Sequence, residues 1–268
     1  MKIFNVLRNE IIRFSKEKKL YIIFAIVVVL VILGSVAYKD MINNVLTGDI
    51  RSTTYSEEFK GLLQSFSGIS FSKMCLTDFI YKPYFSIYLI FIAIIAVNVF
   101  SNDYKSGNLK FTLLTNTSPA QVYIGKILFM VVVSLMIVTI NLCISLIVGQ
   151  IAFGGEIILS ELLNVVLLYL IAIIPGVAFS LIIGIISLTK LSSNIIIGSS
   201  IGVIITLGII DTLTKFKYIS PVGILSFFES NIPTISRGIL ISSGVSIVYI
   251  LILSIGIIKV SKKMDYSI

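Results

Sequence analysis

Ionisable residues are absent from six long stretches of this chain: between Lys19 and Lys39, Lys82 and Asp103, Lys126 and Glu156, Glu161 and Lys190, Lys190 and Asp211, and Arg237 and Lys259. The hydrocarbon core of a bilayer is about 30 Å thick and is crossed by about 20 apolar residues in helical form, so each stretch is long enough to span once. A charge at the centre of such a helix costs roughly 2.5 to 3.5 kcal/mol, which explains why the charged residues are confined to the segments in between. The pattern predicts an all-α polytopic membrane protein, one transmembrane domain over 1–268, with spans at 20–38, 83–101, 127–149, 165–187, 194–211 and 239–258.

Ahead of the first span, Ile3, Phe4, Leu7, Ile11 and Phe14 recur at helical spacing, while Lys2, Asn5, Asn9, Arg13 and Lys16 fall on the other side. An amphipathic helix with a basic polar face lies in the headgroup plane, so 1–19 is expected to be an interfacial helix. Ser35-Val36-Ala37 resembles a signal-peptide cleavage site. The uncharged run before it is longer than an h-region of about 7 to 15 residues, so a retained span is the expectation.

Between the first two spans, Thr54 and Glu57 match a capping box, and Phe59, Leu62, Leu63 and Phe66 follow on one helical face. Two readings of this outer segment stay open, a linker helix resting on the membrane and a lid over a transport path. Before the last span, Ser220-Pro221 and Ile232-Pro233 bracket Val222 to Phe228, an apolar piece too short to cross. Backbone of this kind is tolerated at membrane depth only where protein or a water-filled cavity satisfies it. A short re-entrant or interfacial hairpin is expected, with Glu229 near its turn.

Composition agrees with the pattern. The chain is 57% hydrophobic and its mean hydropathy is +1.06, whereas soluble domains have an apolar share of about 45 to 50%. The +8 net charge is not gathered into a stripe with stacking aromatics, so nucleic acid is not an expected partner. It follows topology: with the N-terminus inside, thirteen basic residues lie on the cytoplasmic side and eight outside. Six spans put both termini on one side, and this bias selects the cytoplasm of a cell-membrane protein. Histidine is absent, which removes His-ligated zinc sites and every nucleophile that relies on a histidine base. Cys75 and Cys143 are expected at different depths and are not expected to pair.

Asn98 and Asn141 are strongly polar side chains within the windows, with Gln150, Asn164 and Asn194 at their edges. No ionisable group lies mid-span, and two matching halves with interrupted helices are not visible, which argues against an ion-coupled carrier. Gly198 and Gly202, extended by Thr206, form a small-residue face on the fifth span that is expected to pack on another helix, by default one of the same chain. Pro175-Gly176 is expected to kink the fourth span.

The segment 102–126 follows the second span. It runs Ser101-Asn102-Asp103-Tyr104-Lys105-Ser106-Gly107-Asn108-Leu109-Lys110-Phe111-Thr112-Leu113-Leu114, passes through Thr115 to Pro119, and reaches Gly125-Lys126 before span three. Physically it is an acidic helix start, a glycine break, a stretch mixing apolar and basic residues, and a turn before re-entry. Leu109 and Leu113 suit a groove on a partner, and an ordinary polar loop fits the same residues.

With these residues the chain resembles the ABC-2 family of exporter permeases. Asp103 stands where that family commonly has Glu, Gly107 and Leu109 match its Gly-Thr-Leu-like stretch, and Gly125-Lys126 matches its Gly-Lys at the start of span three. Asn108 replaces the usual Thr, and Pro119 stands where an Arg is frequent. The likeness extends over the whole chain in layout: interfacial helix, six spans, coupling segment and broken outer hairpin. It implies a permease subunit that pairs with a second permease, the same or homologous, and that binds two copies of a separate ATPase carrying the ATP and Mg. Asp103, Gly107, Leu109, Leu113 and Lys126 are then the ATPase-coupling candidates.

No phosphate-binding loop of the GxxxxGK[ST] type is present, because Gly125-Lys126 is followed by Ile127 and the earlier glycine position is Ala120. Hydrolysis is therefore expected in the partner, and this chain is expected to have no catalytic, cofactor or metal site of its own. The resemblance suggests export of an amphipathic peptide, a drug or a lipid-like molecule, as in permeases of self-immunity and antibiotic resistance. The alternative is a membrane scaffold or assembly factor that transports nothing.

Overall fold

A computed structural model describes residues 2–47, 61, 63–80, 82, 85–102, 117–189, 191–228 and 236–263. Every regular element among them is helical. In chain order these are α1 (Lys2–Lys16), α2 (Lys18–Thr47), α3 (Gly68–Cys75) with a π-helical turn at Leu76–Ile80, and α4 (Ile87–Val97) with a π-helical end at Asn98–Asn102. There follow α5 (Pro119–Phe153), α6 (Leu159–Ile171), α7 (Ile173–Ser187), α8 (Ser193–Leu213), 3-10 turns at Lys215–Tyr218 and Gly223–Phe228, and α9 (Arg237–Lys263).

Five of the apolar helices are long enough to cross a bilayer: α2, α5, the continuous pair α6 and α7, α8, and α9. The chain is an α-helical membrane-spanning protein. The stretch expected as the second span, 83–101, is a shorter apolar helix over Ile87–Ser101. A helix of that length extends about 22 Å. It is wrapped by protein, for Tyr88, Leu89, Ile92, Ala93, Ile95, Ala96 and Val97 are all buried, and α5, α7 and α8 pack around it.

Helix boundaries differ from the charge-free windows where capping chemistry overrides hydropathy. Helix α2 continues to Thr47, nine residues past the expected end at Tyr38, because charge ends a lipid-buried window without breaking a helix. Helix α5 starts at Pro119, where span three was expected at 127. Ser118 and Gln121 form a reciprocal capping box with Pro119 at the first helical position, a strong start signal that lies outside the apolar window. The last part of the expected coupling segment, 119–126, is thus the first two turns of α5.

Helix α1 confirms the amphipathic segment and shifts its buried face. Val6, Glu10 and Phe14 point into the bundle, with Phe14 against Phe129 at 4.9 Å between ring centroids. Phe4 and Ile11, expected on the apolar face, are exposed and remain available to lipid. The buried Glu10 carboxylate is compensated one turn away by Arg13, at 2.7 Å.

The kink expected at Pro175 falls three residues earlier, at Ala172, between α6 and α7. Proline lacks an N–H and crowds the carbonyl four residues before it, which is Ile171. The adjacent Gly176 has a separate role. A side chain there would overlap the Tyr88 hydroxyl, with ring carbons 2.5 and 2.9 Å from its Cβ, so the glycine admits Tyr88 of α4 between the helices. Tyr88 hydrogen-bonds Ser134 of α5.

At the end of the bundle remote from α1, the segment before α4 is built into the fold. Gly68 and Gly149 cross backbone to backbone: a Cβ on Gly149 would lie 2.6 Å from the Gly68 carbonyl oxygen. Gly68 N–H donates to Gly154 O at 2.9 Å. Around this crossing, Phe66 and Phe71 pack on Phe153, with centroids 5.0 and 5.2 Å apart. The expected capping box at Thr54 and Glu57 lies outside the described residues, as does Leu62. Within the bracketed piece 222–228, Gly223–Phe228 forms a 3-10 turn, and Val222, Ile224 and Leu225 are buried in protein. Glu229 lies outside the described residues.

The small-residue face of α8 packs on none of the described residues. The helix buries Ile196, Ser200, Ile204, Gly208 and Asp211, and Gly198 and Gly202 lie two residues round from that stripe, about 200° away. A Cβ at either glycine meets nothing within 4 Å. Gly198→Ala and Gly202→Ala are therefore expected to hold or raise the melting temperature of the purified chain, since alanine is favoured over glycine by up to about 1 kcal/mol in a helix. A clear fall in melting temperature for either variant would show that a second molecule covers this face.

Candidate functional site

The segment with the most distinctive sequence pattern begins where α4 ends and returns at α5. Asp103, Gly107, Leu109 and Leu113 lie outside the described residues. Lys126, the fifth coupling candidate, is well placed, together with both roots of the segment.

Lys126 belongs to the second turn of α5 and is 1% exposed. Its ammonium donates to the backbone carbonyl of Val99, in the π-helical end of α4, and stands 5.7 Å from the centre of the Tyr123 ring. The last carbonyls of a helix lack intrahelical donors. A buried lysine that fills this need ties the segment's exit to its return. Phe100 and Tyr123 stack across the same junction, with centroids 6.4 Å apart and ring planes at 10°. Lys126 was expected among the ATPase-coupling residues, and its position is that of a brace between the end of α4 and the start of α5.

Gly125 completes the junction from the other side. A Cβ there would stand 2.6 Å from Val6 Cγ1 and 3.4 Å from the Ile3 carbonyl, so the glycine brings α1 into close contact with α5. The Gly-Lys pair thus has two separate tasks, with Gly125 receiving α1 and Lys126 holding α4. Lys19 at the start of α2 donates to Asn98 Oδ1 at 3.4 Å. Helices α1, α2, α4 and α5 consequently meet around the two roots of 103–116.

A second polar cluster lies nearer the other end, between α3, α5 and α6. The Tyr169 hydroxyl is 2.9 Å from Asn141 Oδ1, 3.1 Å from the Ser72 carbonyl and 3.2 Å from Ser145 Oγ. Ser145 and Ser72 join their hydroxyls at 2.8 Å. Asn141 is fully buried, and its Nδ2 has no hydrogen-bond partner among the described residues. Polar side chains inside a membrane bundle act as interhelical glue, and this cluster ties the short α3 to two long helices. Asn141 was legible as an outlier in the sequence, but its partners Tyr169, Ser72 and Ser145 were not, because serine and tyrosine are common in apolar helices. The other in-window asparagine, Asn98, serves the α1 end as described. Gln150 donates to the Gly155 carbonyl at 2.9 Å and steadies the turn after α5.

Cys75 is buried and Cys143 exposed, both as free thiols. Burial, with the Asp78 carboxylate nearby, pushes the Cys75 thiol up to about 12, so it stays protonated. Neither the asparagine cluster nor the Lys126 junction brings together a nucleophile and a base. What the junction offers is mechanical: two helix ends and an interfacial helix joined at the base of one polar segment. In comparison with known proteins, no family model and no curated protein matches this chain.

Proposed function

We propose that this chain is the membrane-spanning permease subunit of an ATP-driven exporter of the ABC-2 type, with six spans and both termini in the cytoplasm of a cell-membrane protein. The short helix 87–101 supplies the second span. Its deficit in length is tolerable because protein, not lipid, surrounds it. The segment 103–116 is the lever on which a separate ATPase acts, and a second permease, the same or homologous, completes the transporter. ATP and Mg belong to the ATPase partner. The cargo is amphipathic or apolar: a peptide, a drug or a lipid-like molecule.

The observation that carries this reading is the Lys126 junction. A load on 103–116 reaches α4 and α5 at once because Lys126 joins their ends, and it reaches α1 because Gly125 is packed against Val6. A loop that served only to connect two helices would not need a buried cation at its base. Export from membrane vesicles, assayed with the chain co-assembled with its ATPase, tests the proposal. Asp103→Ala and Gly107→Val are expected to reduce ATP-dependent export at least about tenfold, a change of roughly 1.4 kcal/mol in coupling, with assembly intact. Unchanged export by both fully assembled variants would remove the coupling assignment. An assembled complex in which even the parent chain never moves cargo would favour a scaffold.

A further inference from the structure

A lateral cavity of about 140 Å³ lies between α2 and the elements that precede α4. Its apolar walls include Leu30 and Gly34 of α2, Phe79 of the π-helical turn and Ile87 of α4, and its polar lining is Tyr38, Cys75 and Asp78. Val29 and Leu33, beside Leu30 and Gly34, are exposed, so the cavity opens toward the lipid-facing side of α2. Gly34 keeps it open, because a Cβ there meets nothing within 4 Å. From Leu30 to Tyr38 the cavity follows α2 for about 12 Å, the length of a medium alkyl chain.

The rim is chemically one-sided. Asp78 accepts a hydrogen bond from the Tyr38 hydroxyl, which restrains the carboxylate at the cavity lining. Lys82 stands 3.8 Å from Asp78, with both side chains about half exposed, and it does not line the cavity. An ion pair of this exposure is screened by water and holds its partners weakly. Another ammonium can therefore take the place of Lys82, while the tyrosine keeps the carboxylate in position. An apolar trough that ends in an oriented acid matches an amphiphile with a cationic head.

We propose that this cavity is a binding site for single-chain amphiphiles bearing an ammonium head, with the tail along Leu30, Gly34 and Phe79 and the head on Asp78. The site is independent of the permease reading, because occupancy can be measured on the chain alone without ATPase or transport.

The chain contains no tryptophan, so Phe79→Trp places a single reporter in the wall. With this variant in phosphatidylcholine nanodiscs, a brominated alkyl ammonium is expected to quench the tryptophan saturably. Half-quenching should need about fivefold less of it than of the brominated carboxylate of equal chain length, the preference that one partly exposed ion pair supplies. Adding Asp78→Asn should erase that preference, and adding Gly34→Phe, which fills the trough, should abolish the saturable phase. Linear quenching that survives Gly34→Phe would mean partition into lipid and would overturn the proposal. Equal quenching by ammonium and carboxylate would overturn the choice of head group. Failure of either kind leaves the role of 103–116 untouched, and failure of the export assay leaves this site untouched.

Discussion

Gly176→Val is expected to leave almost no monodisperse protein after extraction, the largest loss among single substitutions in the bundle. The new side chain would occupy the place of the Tyr88 hydroxyl and stand 2.5 Å from the nearest ring carbon. Overpacking of a tight interior costs typically 1 to 3 kcal/mol, and here the ring has no room to retreat, because Tyr88 is fully buried and tied to Ser134. A cost above about 3 kcal/mol is therefore expected. Tyr88→Phe should not relieve it, since the ring carbons remain. Tyr88→Ala should, at the cost of a cavity worth about 3 to 5 kcal/mol in its own right. The double variant is thus expected to be better folded than Gly176→Val alone, a sign of direct coupling that a melting series in a double-mutant cycle reads. Normal yield and melting temperature for Gly176→Val would show that α4 does not approach α7 as described.

Gly149→Val should separate α3 from α5, with no compensating truncation available. The atoms it would meet first are the Gly68 carbonyl oxygen at 2.6 Å, Phe71 Cδ1 at 3.0 Å and the Gly68 Cα at 3.1 Å, and the nearest of them is backbone. The segment around α3 is held at this crossing, by the Phe66, Phe71 and Phe153 rings and by Tyr169. Once it lifts away, Cys75 loses its cover. In a Cys143→Ser background, the parent chain is expected to react slowly with a water-soluble maleimide, because the thiol is buried and protonated. The Gly149→Val chain should react at least about tenfold faster, as burial and a raised thiol pKa both fall away. Labelling at the parent rate would contradict the backbone crossing.

The charge-free windows located the long apolar helices because exclusion of charge from lipid is the strongest rule acting on this chain. They failed at helix ends, where other chemistry decides. Ser118 and Gln121 start α5 eight residues before hydropathy suggests, and nothing stops α2 at Tyr38. Helix α3 escaped notice because Lys73 and Asp78 interrupt its apolar run, although Ser67 provides an N-cap bond to Ser70 N–H. The glycines divide instructively. Gly198 and Gly202 have the spacing of a helix contact, yet they meet none of the described residues. Gly68, Gly149 and Gly176 have no shared spacing, yet they make the close approaches. A small residue permits proximity, and only the fold tells which ones are used. At the candidate coupling segment, the pattern named Lys126 but could not show its burial, which depends on a Val99 carbonyl 27 residues upstream.

The enclosure of α4 bears on how the chain is made. Its wrapping helices α7 and α8 leave the ribosome some 75 or more residues after it, at a synthesis pace of about 5 to 20 residues per second. For several seconds the segment destined for the centre must wait with only its earlier neighbours to cover it. Maturation is thus set by the carboxy-terminal half, and nascent chains halted before Ile173 should be prime substrates for membrane quality-control proteases.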